Sequence, residues 1–571
     1  MNVAAKIDDS FALYDADLAV LRENAQRWAD TTEAERIAIL KDIKERTAEV
    51  AQGWAETAGR KKMLPDGSPL VGEEWISGPY ALMSTCDGFV ETLEGMGGRA
   101  FLKGLSKRTL PSGQLAVQVM PHTVWDHLLL SGISAEVWMQ DGVTEANLAE
   151  HAAASYSGPR EGRVALVLGA GNIAAISPLD CFQKLFVEHQ VVLLKMNPVN
   201  DYLTDFLNAA LKPLVDFGAV RIVRGDGAAG AYLTDHPEVD EIHITGATAT
   251  HDIIVWGPGE EGAKNKAAGT PKNTRHITSE LGAVCPTIVV PGPWSAADIK
   301  FQAANIATQK LHNSGFNCIA CQVLVLPSDW SQRDALMGAV STEIGKNTRP
   351  AYYPGAEARI DAFAAQGEGA EISRGSAPAM PVRQAADEAG DYHAQNEVFA
   401  PAMSVKEIAG EGEAYLRAAI AYANDVLYGT LGASILIHPK TIKAIGEERF
   451  DEIVSELRYG SIGINAWMGA GFLLTRTPWG AFPGHTLDDV QSGIGTVHNS
   501  FMFDSTERTV VRAPWAPFPR SFAVGEFSLL PNPPWFINNR TADKTARGLV
   551  GFLRKPSIFK LPGIFWNALR G

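Results

Sequence analysis

Apolar residues recur at helical spacing near the amino terminus, where Leu18, Leu21, Ala25 and Trp28 are followed by Ile37, Leu40 and Ile43 with charged residues between them. This periodicity predicts amphipathic helices over 18–60, packed by one face against the first domain. From residue 164 the pattern changes. Short continuous apolar runs at 164–168, 191–194, 220–223 and 242–244 alternate with helical stretches at 203–217 and 228–233. Runs without a polar face are strands buried on both sides, and their alternation with helices predicts a parallel, doubly wound α/β sheet of nucleotide-binding type. A second alternation begins at 286–290, passes a helical run at 297–312 and a strand-like 323–326, and continues to about Asn465. The stretch 110–160 has no strong periodicity.

Composition narrows the class. A chain of 571 residues with 46% hydrophobic and 20% charged residues can bury several domain-sized cores, and is neither disordered nor membrane-spanning in character. A formal net charge of −15 argues against general nucleic-acid binding through phosphate neutralisation. Five cysteines, an odd number, and a polar amino terminus over 1–14 point to a reducing, cytoplasmic setting.

Two short segments carry chemistry. Cys318 stands in a turn between the helical run 297–312 and the strand-like 323–326, where backbone N–H groups can lower a thiol's pKa and cradle an oxyanion. Glu280, in Ser279-Glu280-Leu281-Gly282, is a carboxylate suited to activating water. Most free cysteines are instead small buried hydrophobes. Cys318 and Cys321 form a CxxC, but no second Cys or His pair at zinc spacing accompanies it, so no metal is expected.

These segments, with several others in the same order, resemble the aldehyde dehydrogenase superfamily. Glu280-Leu281-Gly282 matches its Glu-Leu-Gly-Gly, and Asn313-Ser314-Gly315-Phe316-Asn317-Cys318 its Asn-x-Gly-Gln-x-Cys. The strand 164–168 followed by Ile176-Ser177-Pro178 looks like its Thr-Pro-Trp-Asn loop, and 191–195 its Val-Val-Leu-Lys-Pro strand. Asp235-His236-Pro237 leads to Thr245-Gly246-Ala247, similar to its Thr-Gly-Ser. Asn396-Glu397-Val398-Phe399-Ala400-Pro401, Gly460 to Asn465 and Ser492 to Gly495 close a pattern covering roughly residues 20–500.

The resemblance implies two doubly wound α/β domains plus a β-arm, within 110–160, for subunit assembly. The expected boundaries are 1–278 for the helices and dinucleotide-binding domain, 279–465 for the catalytic domain, 466–510 for a return segment and 511–571 for an extension outside the family pattern. It implies oxidation of an aldehyde to a carboxylic acid with NAD or NADP, by a cytoplasmic homo-oligomer. Cys318 would form a thioester and Glu280 would direct water onto it. Ser177, Pro178, Lys195, Gly246, Ala247, Glu397 and Phe399 would hold the cofactor. Gly169-Ala170-Gly171-Asn172 resembles a dinucleotide fingerprint, but the next strand ends in Lys195 and not in an acid, and the family pattern places this turn beside the active site.

Departures from the pattern open alternatives. The family's oxyanion-stabilising Asn aligns with Asp180, whose charge would repel a developing alkoxide; its Gln is Phe316, the Ser of Thr-Gly-Ser is Ala247, and the carboxylate favouring NAD is Pro198. CoA-dependent or reductive acyl chemistry, and a catalytically weakened relative acting as a scaffold, are therefore the competing readings.

The tail changes character. Residues 511–571 hold nine basic groups (Arg512, Arg520, Arg540, Lys544, Arg547, Arg554, Lys555, Lys560, Arg570) against Glu526 and Asp543. With Trp535, Phe536 and Trp566 interleaved, the tail suits either packing on an acidic partner subunit or peripheral contact with a membrane surface.

Overall fold

The amino-terminal periodicity folds as two helices, Ala12–Ala29 and Glu33–Lys61, separated where Thr32 caps the second in a capping box with Glu35. Their inward stripes, Leu18, Leu21, Ala25, Trp28, Leu40 and Ile43, are buried. Ile37 is only half-buried; its neighbour Arg36 is buried instead, donating to Thr31 Oγ1 and to the Tyr156 hydroxyl. The computed structural model describes residues 11–571 except Ala389, so most of the polar stretch 1–14 lies outside the described residues.

A six-stranded sheet follows, in the order Gly493–Ile494, His276–Leu281, Glu241–Gly246, Val164–Leu168, Val191–Lys195, Val220–Val223. All pairings are parallel except that of Gly493–Ile494. The predicted helix over 203–217 is two, Thr204–Ala210 and Lys212–Phe217, because Pro213 in the first turn of the second has no N–H to continue the first.

The second sheet has eleven strands. Its parallel centre runs Thr506–Arg512, Ser461–Ile464, Gly432–Leu436, Cys285–Val289, Cys321–Pro327, Met403–Ile408 and Ala377–Gln384. The unpatterned stretch supplies the antiparallel strands Leu115–Met120 and Ser134–Met139, and the latter pairs with Thr506–Arg512 of its own chain. The tail from 511 onward therefore begins inside a central strand.

Beyond that strand the tail wraps back on its own chain. Helix Ala542–Arg554 presses Ala546 and Val550 against Ala51, Ala55, Trp75, Ile76 and Met83, and Gly72 is tight against it: a Cβ there would stand 2.5 Å from the Ala542 carbonyl carbon. The tail's basic residues meet the acidic face of helix Glu33–Lys61, Arg554 at 2.9 Å from Glu45 and Arg547 at 3.6 Å from Glu56. Phe536 is buried and Trp535 half-buried within this chain, whereas Trp566 is 63% exposed. Among the described residues no helix is long and apolar enough to cross a membrane.

Candidate active site

The two sheets are joined by a three-residue link. Strand His276–Leu281 ends the first, Gly282 to Val284 cross over, and Cys285–Val289 starts in the middle of the second. Glu280 is thereby fixed at the carboxyl end of a parallel strand, where ligands of such sheets gather. Cys318 lies just before Cys321–Pro327, the strand paired with Cys285–Val289, so the same crossover brings both residues to one point.

The turn carrying Cys318 is conformationally demanding. Helix Ala296–Leu311 ends, and Asn313, Ser314 and Gly315 follow with φ of 52°, 55° and 82°. Consecutive left-handed residues reverse the chain sharply; the turn is held by Asn313 Nδ2 donating to the Phe316 carbonyl at 3.0 Å and by Glu73 accepting from the Asn313 N–H at 3.1 Å. Of the five cysteines, Cys318 alone is not fully buried.

Its thiol donates to Glu280 Oε1 at 3.2 Å, and Trp479 Nε1 donates to the same oxygen at 3.3 Å. Burial, with a smaller contribution from the Asp180 carboxylate, pushes Glu280 up to about 7. Burial and the adjacent Glu280 carboxylate push the Cys318 thiol well above its ordinary value. The resting pair is thus a thiol on a carboxylate poised near neutrality, and ionising the sulfur means handing its proton to Glu280.

Two cavities meet at this pair. One, of about 270 Å³, reaches from Cys318 and Glu280 along Gly171, Gly246, Ala247, Glu397 and Phe399. Glu397 is half-buried and raised to about 8, by desolvation first and then by Glu280; its Oε1 is buried with no protein partner. A Cβ at Gly282 would stand 1.8 Å from Glu397 Oε2, so any side chain there would displace the Glu397 carboxylate. The other cavity, of about 50 Å³, leaves the thiol between Ile76, Ile173, Trp467, Phe472, Leu473 and Trp535.

The expected cofactor residues divide between these surroundings. Gly246, Ala247, Glu397 and Phe399 line the larger cavity with Glu280 and Cys318. Ala247 precedes helix Thr248–Trp256 without a side-chain cap, so the family hydroxyl is missing at that helix start. Lys195 ends its strand outside the residues lining that cavity; burial lowers its pKa, opposed by Asp226.

Ser177, Pro178 and Asp180 fall elsewhere. They lie on helix Ile176–Phe182 and line neither cavity, and Asp180 accepts from Thr245 Oγ1 at 2.8 Å with His243 3.5 Å away. The loop at the end of strand Val164–Leu168 is Gly169 to Asn172. Asn172 lines both cavities, is buried, and donates through Nδ2 to the Phe316 carbonyl at 2.9 Å. An amide has two N–H groups on Nδ2, so the second is left for a ligand. Of the two, Asn172 lines the cavities with Cys318 and Asp180 does not; the sequence signal for Asn172 is its position directly after a buried strand, in the turn that resembles a fingerprint.

Comparison with known proteins agrees with this geometry. The family model described as the aldehyde dehydrogenase family matches residues 192–363. A geranial dehydrogenase of Castellaniella defragrans is 25% identical over 271 residues, 44% of this chain and 50% of that protein. An aldehyde dehydrogenase of Enchytraeus buchholzi is 32% identical over 127 residues, 22% of each. The chain thus spans half or less of the curated relatives it matches. Among solved structures, a gamma-glutamyl-gamma-aminobutyraldehyde dehydrogenase of Burkholderia cenocepacia superposes with a TM-score of 0.57 at 17% identity, covering 88% of this chain and 89% of that one. An aldehyde dehydrogenase C mutant of Pseudomonas syringae, complexed with NAD+ and octanal, gives 0.57 at 17% identity over 89% and 90%. Residues 192–363 thus match the aldehyde dehydrogenase family, and the chain shares the fold of solved aldehyde dehydrogenases.

Proposed function

We propose that this chain oxidises an aldehyde to a carboxylic acid with NAD or NADP, through a thioester on Cys318. The observation that carries it is the thiol of Cys318 held 3.2 Å from Glu280 where two unlike cavities meet. The larger cavity suits a pyridine nucleotide: Gly246 and Ala247 lead into a helix amino terminus for the pyrophosphate, and the unpartnered Glu397 Oε1 suits a ribose hydroxyl. Bound there, the nicotinamide would supply hydride acceptance.

The chain's own groups carry the remaining steps. Cys318 passes its proton to Glu280 and its sulfur adds to the carbonyl carbon. The oxygen that gains charge is met by the free Nδ2 hydrogen of Asn172 and by the backbone N–H of Cys318, which makes no hydrogen bond to protein among the described residues. After oxidation Glu280 releases the Cys318 proton to solvent, takes a second proton from the water that attacks the thioester, and returns that proton to the departing sulfur as the carboxylic acid leaves. A carboxylate in hydrogen-bond reach of the sulfur favours water over a second thiol as acyl acceptor, and Asp180, which lines neither cavity, weighs less toward reading the chain as an inactive scaffold.

Assembly as a homo-oligomer belongs to the same reading.

The test is NAD(P) reduction across an aldehyde panel with Cys318→Ala and Glu280→Gln. Cys318→Ala should lose turnover, and Glu280→Gln should give one equivalent of reduced cofactor and an acyl-enzyme visible by mass spectrometry. Turnover that survives Cys318→Ala, or appears only with added CoA, overturns the proposal.

A further inference from the structure

The narrow cavity beside Cys318 does not end at the catalytic pair. Ile76, Leu473 and Trp535 also form a wall of a second, wider cavity of about 130 Å³. Its far side is built by Leu129 and by the tail residues Leu530, Leu549, Ile564 and Phe565. Trp535 comes from the tail itself, so residues beyond the family pattern reach the route to the nucleophile.

The few charged groups on the way are already engaged. Glu73 is paired with Arg349 at 2.6 Å, and Arg476 lies 2.8 Å from Glu91 and 3.5 Å from Asp126. The rest of the lining is mostly hydrocarbon and aromatic ring, broken by a few polar side chains such as Ser77, Ser84, Thr475 and Thr477; water solvates such a surface poorly and a methylene chain fills it well.

We propose that the tail completes an acyl-chain channel, and that the substrates are aldehydes with long, linear, apolar chains running past Ile76, Leu473 and Trp535 into the outer chamber. The inference rests on the oxidation reading above and names its substrate class. A short aldehyde would leave the chamber unfilled, whereas each methylene moved from water onto these walls strengthens transition-state binding about fourfold.

The test measures kcat/KM for linear aldehydes from propanal to decanal, in the parent and in Ala568→Trp, whose indole fills the outer chamber from the tail side. Decanal should exceed propanal by at least about a hundredfold, and Ala568→Trp should cut that ratio tenfold or more. Ser84→Phe, filling the chamber from the opposite wall, replaces it should Ala568→Trp not fold. A flat chain-length profile, or a ratio the filling variant leaves intact, overturns the channel while oxidation stands. If no aldehyde is turned over, the oxidation reading fails by itself, and calorimetry with decanoate decides the channel. Saturable binding to Cys318→Ala that the added Ala568→Trp weakens tenfold or more supports it; no binding, or binding the tryptophan does not affect, overturns it.

Discussion

The ammonium of Lys62 donates to the main-chain carbonyl of Asn172 at 2.8 Å, while pairing with Glu74 at 2.9 Å. All three residues are buried, so the residue that caps the carboxyl end of helix Glu33–Lys61 pins the loop that carries the proposed oxyanion donor. Removing the ammonium leaves a buried carboxylate without its cation. Lys62→Met should cost about 3–5 kcal/mol in urea unfolding. It should also lower kcat more than it raises KM, because the amide it positions acts on the transition state.

Asn172 and Asp180 make opposite predictions. Asn172→Ala removes a donor aimed at the developing oxyanion and should lower kcat/KM about 10²- to 10³-fold. Asp180→Asn keeps shape and a hydrogen-bonding group against Thr245, outside both cavities, and should change kcat/KM by less than about tenfold, well short of a lost oxyanion donor. Steady-state kinetics of the two variants with one aldehyde decides between them.

Turnover should rise with pH through about 7, where Glu280 loses its proton and becomes a base. Glu280→Gln should abolish that limb of the pH–rate profile in single-turnover deacylation, leaving the acyl-enzyme long-lived at every pH.

The same carboxyls tie stability to pH. Glu280 and Glu397 are raised from 4.5 to about 7 and about 8 and interact with each other, so they titrate as a pair. Between pH 4.5 and 8 the folded chain keeps protons that the unfolded chain has released, so their contribution to stability falls as pH rises. Glu280→Gln with Glu397→Gln should gain stability relative to the parent at pH 8 and gain little at pH 5, as read from urea midpoints.

Gly282→Ala should damage cofactor binding specifically. The new methyl would overlap the Glu397 carboxylate, which must swing away from the cavity it faces. Fluorescence titration with NAD+ and NADP+ should give a Kd raised at least about tenfold, with the thiol's reactivity toward iodoacetamide preserved.

Much of the layout was legible because buried parallel strands advertise themselves: 164–168, 191–194 and 220–223 are apolar on both faces and fold as strands at those positions. The helix before Cys318 and the turn that holds it were equally plain. The motif likeness at Ile176-Ser177-Pro178 leads to Asp180, which lies where the chain has already entered a helix and lines neither cavity. A ligand-facing loop follows a strand end directly, and Gly169 to Asn172 meets that requirement. The docking of the tail on its own chain is not legible for a different reason. Its alternation of basic and aromatic residues matches any acidic apolar surface, and local pattern cannot reveal that the surface is helix Glu33–Lys61 of the same molecule, some five hundred residues back along the chain.

That return contact has a consequence for biosynthesis. Glu280 and Cys318 are translated well before Trp535 and the helix Ala542–Arg554 leave the ribosome. Until the final segment docks on the first, the cavity beside the Cys318 sulfur lacks the wall that Trp535 supplies, and a stop codon near the end of the message would leave that wall missing.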